Sequence, residues 1–121
     1  MPANPAAARA FHDLHRQGLL ILANAWDAGS ARLIESLGAR AIATTSAGAA
    51  WSRGYPDGDF LPMDRVVSTV ASIARVVSVP ITADVEGGYS VDPVAVGANV
   101  ARVIEAGPPA STSRTGRRRS I

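Results

Sequence analysis

The sequence predicts an α/β protein built on a parallel sheet, and three observations carry that reading. Short runs of strand length recur at residues 19–23, 40–44 and 79–83, and each is followed by a polar link and then a helical pattern. This strand–loop–helix rhythm, repeated three times, is the pattern of βαβ units. The links between helices and the next strands are short, Leu37-Gly38-Ala39 and Ser78, whereas the links after strands are longer and hold the polar groups. Function in such folds sits on the longer links, at the C-terminal ends of the strands. Three strands by themselves suit either a piece of a barrel or a small open sheet.

Residues 5–17 read as a helix, because Ala8, Phe11, Leu14 and His15 recur at near-helical spacing and Gly18 follows as a stop. Residues 19–23 (LLILA) form the first strand, and Asn24-Ala25-Trp26-Asp27 is the loop after it. Asp27 is placed to cap a helix over 28–37, which Gly38 ends. Residues 40–44 form the second strand, and 45–62 a long loop rich in Gly, Ser, Asp and aromatics. A third helix spans 64–77, with Val66, Val67, Val70, Ile73, Ala74 and Val77 on one broad face. Residues 79–83 form the third strand. Asp92 and Pro93 then occupy the cap and first turn of a fourth helix that ends near Ala106 and Gly107.

After Glu105-Ala106-Gly107 another buried strand is due, but the chain reads PPASTSRTGRRRSI. Adjacent prolines, five Ser or Thr and four Arg do not make a buried strand, so residues 108–121 are expected to be a disordered Arg-rich tail. The expected organisation is therefore a folded part over 1–107 and a tail over 108–121.

The chain has 121 residues, one domain at most, and is 47% hydrophobic, enough for a core. It has no Cys, which excludes disulfides and thiolate metal sites and fits a reducing cytoplasm. No apolar run approaches the roughly 18 residues that span a bilayer, so no membrane partner is expected. Residues 1–107 hold eight Arg and ten acids, a net charge of −2, and the tail holds four Arg and no acid. The basic pI is thus a tail property. Without aromatic interleaving or a folded motif, that tail does not support specific nucleic-acid recognition.

Three groups of residues are suited to chemistry. Asp84 and Glu86 end the third strand one residue apart, and a strand continued through them would turn both carboxylates to one side. Close carboxylates repel, and a hard cation such as Mg²⁺ relieves that repulsion. The same spacing also suits capping or plain exposure at a strand end. Thr44-Thr45-Ser46-Ala47-Gly48 offers small residues, hydroxyls and open backbone N–H groups to an anionic oxygen, or is simply a polar loop. In Trp51 to Asp59, the Pro56-Asp57-Gly58 turn either sets Asp57 within reach of a metal through water or is simply a surface turn. Arg53 in the same stretch suits an anionic substrate or a neighbouring acid. Asn24 and Trp26, after the first strand, are placed to line and cover the same site. His12 and His15 lack a third ligand and read as surface or half-buried histidines.

The segments 22–27 (LANAWD), 44–48 (TTSAG), 54–58 (GYPDG) and 82–89 (TADVEGGY) resemble the isocitrate lyase and phosphoenolpyruvate phosphomutase superfamily, and within it the phosphonomutase-like branch. The resemblance runs from about residue 9 to Gly107. It implies the N-terminal part of a (β/α)₈ TIM-like barrel, about three βα units, with Mg²⁺ and a small anionic 2-oxoacid or phosphonate substrate at the C-terminal end of the sheet. It further implies lyase or mutase chemistry at a C–C or P–C bond through an enolate-like intermediate. Carried over residue by residue, it makes Asp84 and Glu86 the metal acids and gives catalytic roles to Asp57 and Ser46. It gives substrate contacts to Thr45, Ser46, Ala47 and Gly48, with Asn24, Trp26 and Arg53 beside them. Glu86 departs from the pattern, whose second acid is more typically Asp. The lyases of the family also carry a Cys-containing loop further on, and this chain has no Cys. The family pattern continues after Gly107 with an apolar strand and another acidic residue, so a frameshift or truncated gene model accounts best for the tail. Three of eight βα units leave open edges and half a core. The resemblance therefore also allows an inactive fragment, or a binding or assembly module that folds poorly alone and self-associates through its edges.

Overall fold

Each strand pairs in parallel with the one that follows it in the chain, and a helix makes each crossover. The computed structural model describes residues 5–107 and the backbone of 112–114. In order these are α1 (Pro5–Leu14), β1 (Ala23–Ala25), α2 (Ala28–Ser36), β2 (Ile42–Thr44), α3 (Ser46–Trp51), α4 (Met63–Ala74), β3 (Ile81–Asp84), α5 (Pro93–Ala106) and β4 (Thr112–Arg114). The sheet runs β1-β2-β3-β4. Strands that neighbour each other in both sequence and space, all parallel, trace an arc of a TIM-like barrel.

The helix boundaries follow local chemistry. Asp27 caps α2 by accepting from the Ser30 N–H at 2.7 Å, and Ser30 Oγ accepts in return from the Asp27 N–H at 3.2 Å. Asp92 caps α5 through the N–H groups of Val94 and Ala95, with Pro93 opening the helix. Gly18 and Gly38, at φ 69° and 97°, make the left-handed turns that follow α1 and α2. His15 is occupied within α1, its ring nitrogen donating to the Phe11 carbonyl at 2.8 Å.

Alternation along the strands sorts the side chains. Ala25, Ile42, Ile81 and Ala83 are buried. Ala25, Ile42 and Ile81 pack with Ala31 of α2 and with Ile73 and Val77 of α4 and the turn after it. Ala83 and Val85 join Val66, Val70, Val103 and Ala49 and Ala50 of α3 in a second cluster. The intervening residues face away from the helices. Parallel register lines up Asn24, Ala43 and Thr82 on that open side. At the opposite end of the sheet, the Glu35 carboxylate of α2 accepts from the Ser78 and Val79 N–H groups at 2.7 and 3.2 Å, which fixes where β3 begins.

Three elements depart from the sequence-based expectation. The first strand lies at Ala23–Ala25 rather than 19–23, and Leu19 and Ile21 are 79% and 72% exposed. Pairing to Ile42 and Thr44 selects the strand, and among the described residues β1 has no strand on its other side to cover the leucine-rich run. The expected loop 45–62 contains α3, capped where Thr45 Oγ1 accepts from the Gly48 N–H at 3.1 Å. Within the expected disordered tail, Thr112–Arg114 forms β4, paired with Thr82–Asp84 of β3. Backbone pairing at a sheet edge needs no apolar side chains, so a polar segment suffices there. Residues 108–111 and 115–121 lie outside the described residues.

Ile73 is fully buried between α4 and the sheet. Ile73→Ala should therefore cost about 2–5 kcal/mol, read as a lower urea midpoint at unchanged slope. A loss below about 1 kcal/mol would mean that the helix does not close on the sheet as described.

Candidate active site

The open side of the sheet forms a cavity of about 480 Å³ at the C-terminal ends of β1 to β3. Leu22, Asn24, Ala43, Thr44, Ser46, Thr82, Ala83, Asp84, Glu86 and Asp57 line it. Its polar groups thus come from three strands and the loops after them.

Asp84 is its best-anchored acid. It is the last residue of β3, with its N–H donating to Thr44 Oγ1 of β2 at 2.9 Å. One carboxylate oxygen accepts from Ser46 Oγ at 2.9 Å and the other from the Glu86 N–H at 3.0 Å. Ser46 opens α3, so the missed helix is what carries this hydroxyl to the acid. Such contacts fix a carboxylate's orientation while leaving lone pairs free for another ligand.

Glu86 reaches the same cavity by a route the strand pattern does not give. The strand stops at Asp84, Val85 turns into the core at 1% exposure, and Glu86 takes φ 46°. Its carboxyl then crosses to the loop after α3, where it accepts from the Asp59 N–H and meets the Asp57 carboxyl. Burial and that Asp57 contact raise its pKa above the ordinary 4.5, against the Asp59 amide and the Ser46 hydroxyl, which lower it.

Asp59 and Tyr89 surround this group and went unassigned in the sequence reading. The Asp59 carboxylate accepts from the Gly87 N–H at 3.3 Å. Burial, then the charges of Glu86, Asp59, Asp84 and Asp57, raise the Tyr89 pKa and keep its phenol protonated. The signals were the second acid in Pro56-Asp57-Gly58-Asp59 and the aromatic ending the glycine pair. Gly88, at φ 85°, lies so close to α5 that a Cβ would come within 2.5 Å of Val96 Cγ1. Its carbonyl accepts from Asn99 Nδ2 of the same helix at 2.9 Å.

Of the remaining expected site residues, Asn24 lines the cavity. Thr45 spends its hydroxyl on the α3 cap instead of facing the cavity, and the Gly48 N–H is its partner. Ala47 and Gly48 follow Ser46 in the first turn of α3 and do not line the cavity. Trp26, 45% exposed, packs its Cβ near Gly48, beside the cavity rather than over its floor. Arg53 is turned away: its Nε donates to Thr69 Oγ1 of α4 at 3.2 Å, because α3 points this end of the loop toward α4.

The donors facing the cavity are oxygens, which suit a hard cation. Two carboxyls in contact, Asp57 and Glu86, repel when both are charged, and a cation relieves that cost. Among the described residues, no three Asp, Glu, His or Cys side chains are grouped to hold a metal ion. The set therefore fits Mg²⁺ held by one or two carboxylates with water and substrate oxygens completing its shell, and does not fit an all-protein cage.

A parallel α/β sheet with helical crossovers and its acids gathered at the C-terminal strand ends defines a protein of the TIM-like barrel class. Comparison with known proteins gives the narrower answer. The family model described as phosphoenolpyruvate phosphomutase matches residues 11–110. A Mycobacterium tuberculosis protein, Rv1998c, is 40% identical over 98 residues, 80% of this chain and 38% of that protein. The fold matches a candidate phosphonomutase from Burkholderia cenocepacia J2315 at TM-score 0.79 and 39% identity, over 84% of this chain and 42% of that one. It matches phosphoenolpyruvate phosphomutase from Streptomyces platensis subsp. rosaceus at TM-score 0.74 and 32% identity, over 87% and 37%. The chain belongs to the isocitrate lyase and phosphoenolpyruvate phosphomutase superfamily, in its phosphonomutase-like branch. It spans about two fifths of the length of these relatives. Among the described residues, no helix is long and apolar enough to cross a membrane.

The raised Glu86 pKa sets a pH dependence. The folded chain keeps a proton at Glu86 that the unfolded chain has already released, so stability falls as pH rises from 4.5 through the raised value. Glu86→Gln removes this penalty and keeps an acceptor for Asp59. Its melting midpoint relative to wild type should rise between about pH 4 and pH 8. A relative midpoint that falls over that interval would contradict the assigned crowding.

Proposed function

We propose that this cavity is the N-terminal part of a Mg²⁺-dependent site for lyase or mutase chemistry on a small 2-oxo or phosphono carboxylate. The observation that carries the proposal is the convergence of Asp84, Glu86, Asp57 and the Ser46 hydroxyl on one cavity. Proteins of similar structure include a phosphoenolpyruvate phosphomutase, an oxaloacetate acetylhydrolase and a 2,3-dimethylmalate lyase. The small acid in each of those names is of a size the cavity admits.

In this reading Asp84 would hold Mg²⁺, and Glu86 and Asp57 would act on it directly or through water. Bound there, Mg²⁺ supplies Lewis-acid polarisation of a 2-oxo group and stabilises enolate-like charge. The chain's own residues orient and hold. Ser46 fixes the Asp84 carboxylate and stands beside the substrate carboxylate. Asn24 offers its amide across the cavity. Thr44 sets the height of Asp84 by receiving its N–H.

Oxalate, a planar dianion shaped like the enolate of a 2-oxoacid, tests this. Mg²⁺ and oxalate together should raise the melting midpoint, with about 2.7 kcal/mol of stabilisation at a hundredfold excess over Kd. Asp84→Asn should abolish the shift. No shift in the wild type, or an equal shift in the variant, would remove the metal–carboxylate reading.

A second reading, assembly with another copy, is favoured by the apolar surface beside β1, where Leu19, Ile21, Leu33 and Leu37 are all more than 60% exposed. An open strand edge flanked by such residues pairs readily. Sedimentation should show mass rising with concentration, and the double substitution Leu19→Ser, Ile21→Ser should return the chain to monomer. A monomer at every concentration would dismiss this reading.

A further inference from the structure

Between α3 and α4 the chain is anchored at both ends of a projecting loop. The Tyr55 N–H donates to the Ala50 carbonyl at 2.9 Å, and Leu61 is buried at 3% exposure. The middle of the loop carries Asp57, whose carboxyl stands in the cavity. Asp59 is what holds that middle. Its N–H donates to the Glu86 carboxylate, and its own carboxylate accepts from the Gly87 N–H at 3.3 Å. One residue thus grips two consecutive residues of the loop after β3, once as donor and once as acceptor. We infer that Asp59 is a positioning residue, clasping these two loops together and so fixing where Asp57 stands over the cavity.

Two further observations support the clasp. Asp59 and Glu86 both take left-handed backbone, φ 64° and 46°, which is unfavourable for residues with side chains and persists only where the surroundings hold it. Asp is among the residues that tolerate it best. The approach is also close, since a Cβ at Gly87 would stand 2.8 Å from Asp59 Oδ2 and would push that carboxylate off its present position. The two halves are coupled by geometry. Releasing the Asp59 carboxylate from Gly87 frees the segment whose N–H holds Glu86, and Glu86 is the group that meets Asp57. The inference concerns loop placement and stands whether or not the proposed reaction is correct.

The test is residue-resolved amide hydrogen exchange on the 121-residue chain. Asp59→Gly keeps the N–H and removes the carboxylate, and it also frees the left-handed backbone at 59. Asp59→Asn keeps an acceptor oxygen and tolerates the same backbone. In Asp59→Gly, exchange at Gly87 and at the amides of positions 57, 58 and 59 should accelerate together, on the order of tenfold, while α4 and β3 keep wild-type rates. Asp59→Asn should restore slow exchange at all four positions. Acceleration at Gly87 alone would show two independent hydrogen bonds and overturn the clasp. So would unchanged rates throughout, an Asn variant that behaves like the Gly variant, or equal acceleration in α4 and β3, which would assign Asp59 to overall stability.

Discussion

Ile42, Ile81 and Ala83 lie under the helices because Ala43, Thr82 and Asp84 lie on the other side of the same strands. That parity is held by parallel register, and a slip of one residue in β3 would exchange the two sets. Asp84 would then enter the apolar cluster, and the cavity would lose its best-anchored acid. The burial of Ile81 against Ile73 and Val77 therefore does more than stabilise the sheet. It sets which atoms the site contains. Glu35 reinforces this from the far end by pinning the first amides before β3.

Once Asp84 is placed, electrostatics shapes the rest. Four acids, Asp57, Asp59, Asp84 and Glu86, crowd one corner of a chain whose described charge is otherwise mixed. Hydrogen-bond donors absorb much of the resulting repulsion: Ser46 and the Glu86 amide on Asp84, the Asp59 amide on Glu86, and the Gly87 amide on Asp59. Asp57 and Glu86 are left in mutual contact, and this is where the pKa rises. A corner so arranged is costly as mere structure and well suited to receiving positive charge.

Much of this was legible in the sequence, because the signals were local. The strand–loop–helix rhythm gave the parallel sheet, and Asp27, Asp92 and Pro93 marked the helix starts where they occur. The acids after the third strand and Ser46 after the second line one cavity. What was missed depended on partners distant in the chain. The first strand is chosen by its pairing with β2, not by its own hydrophobicity, so the leucine-rich run 19–22 misled. The short α3 was hidden by the glycines and proline around it, and with it the turning of Arg53 toward Thr69. A backbone ladder rather than side-chain pattern produces β4. Asp59 was invisible for a similar reason: its partners lie 27 and 28 residues away.

The contact between Gly88 and α5 has a consequence for how the site can change over generations. The loop bearing Glu86 is mounted on Val96 and Asn99, two helix residues with no place in the cavity wall. Reshaping either one would move this loop and Glu86 with it. The shape of the cavity can therefore drift through helix residues that do not line it. A mutational search confined to cavity-lining positions would overlook that inherited adjustment.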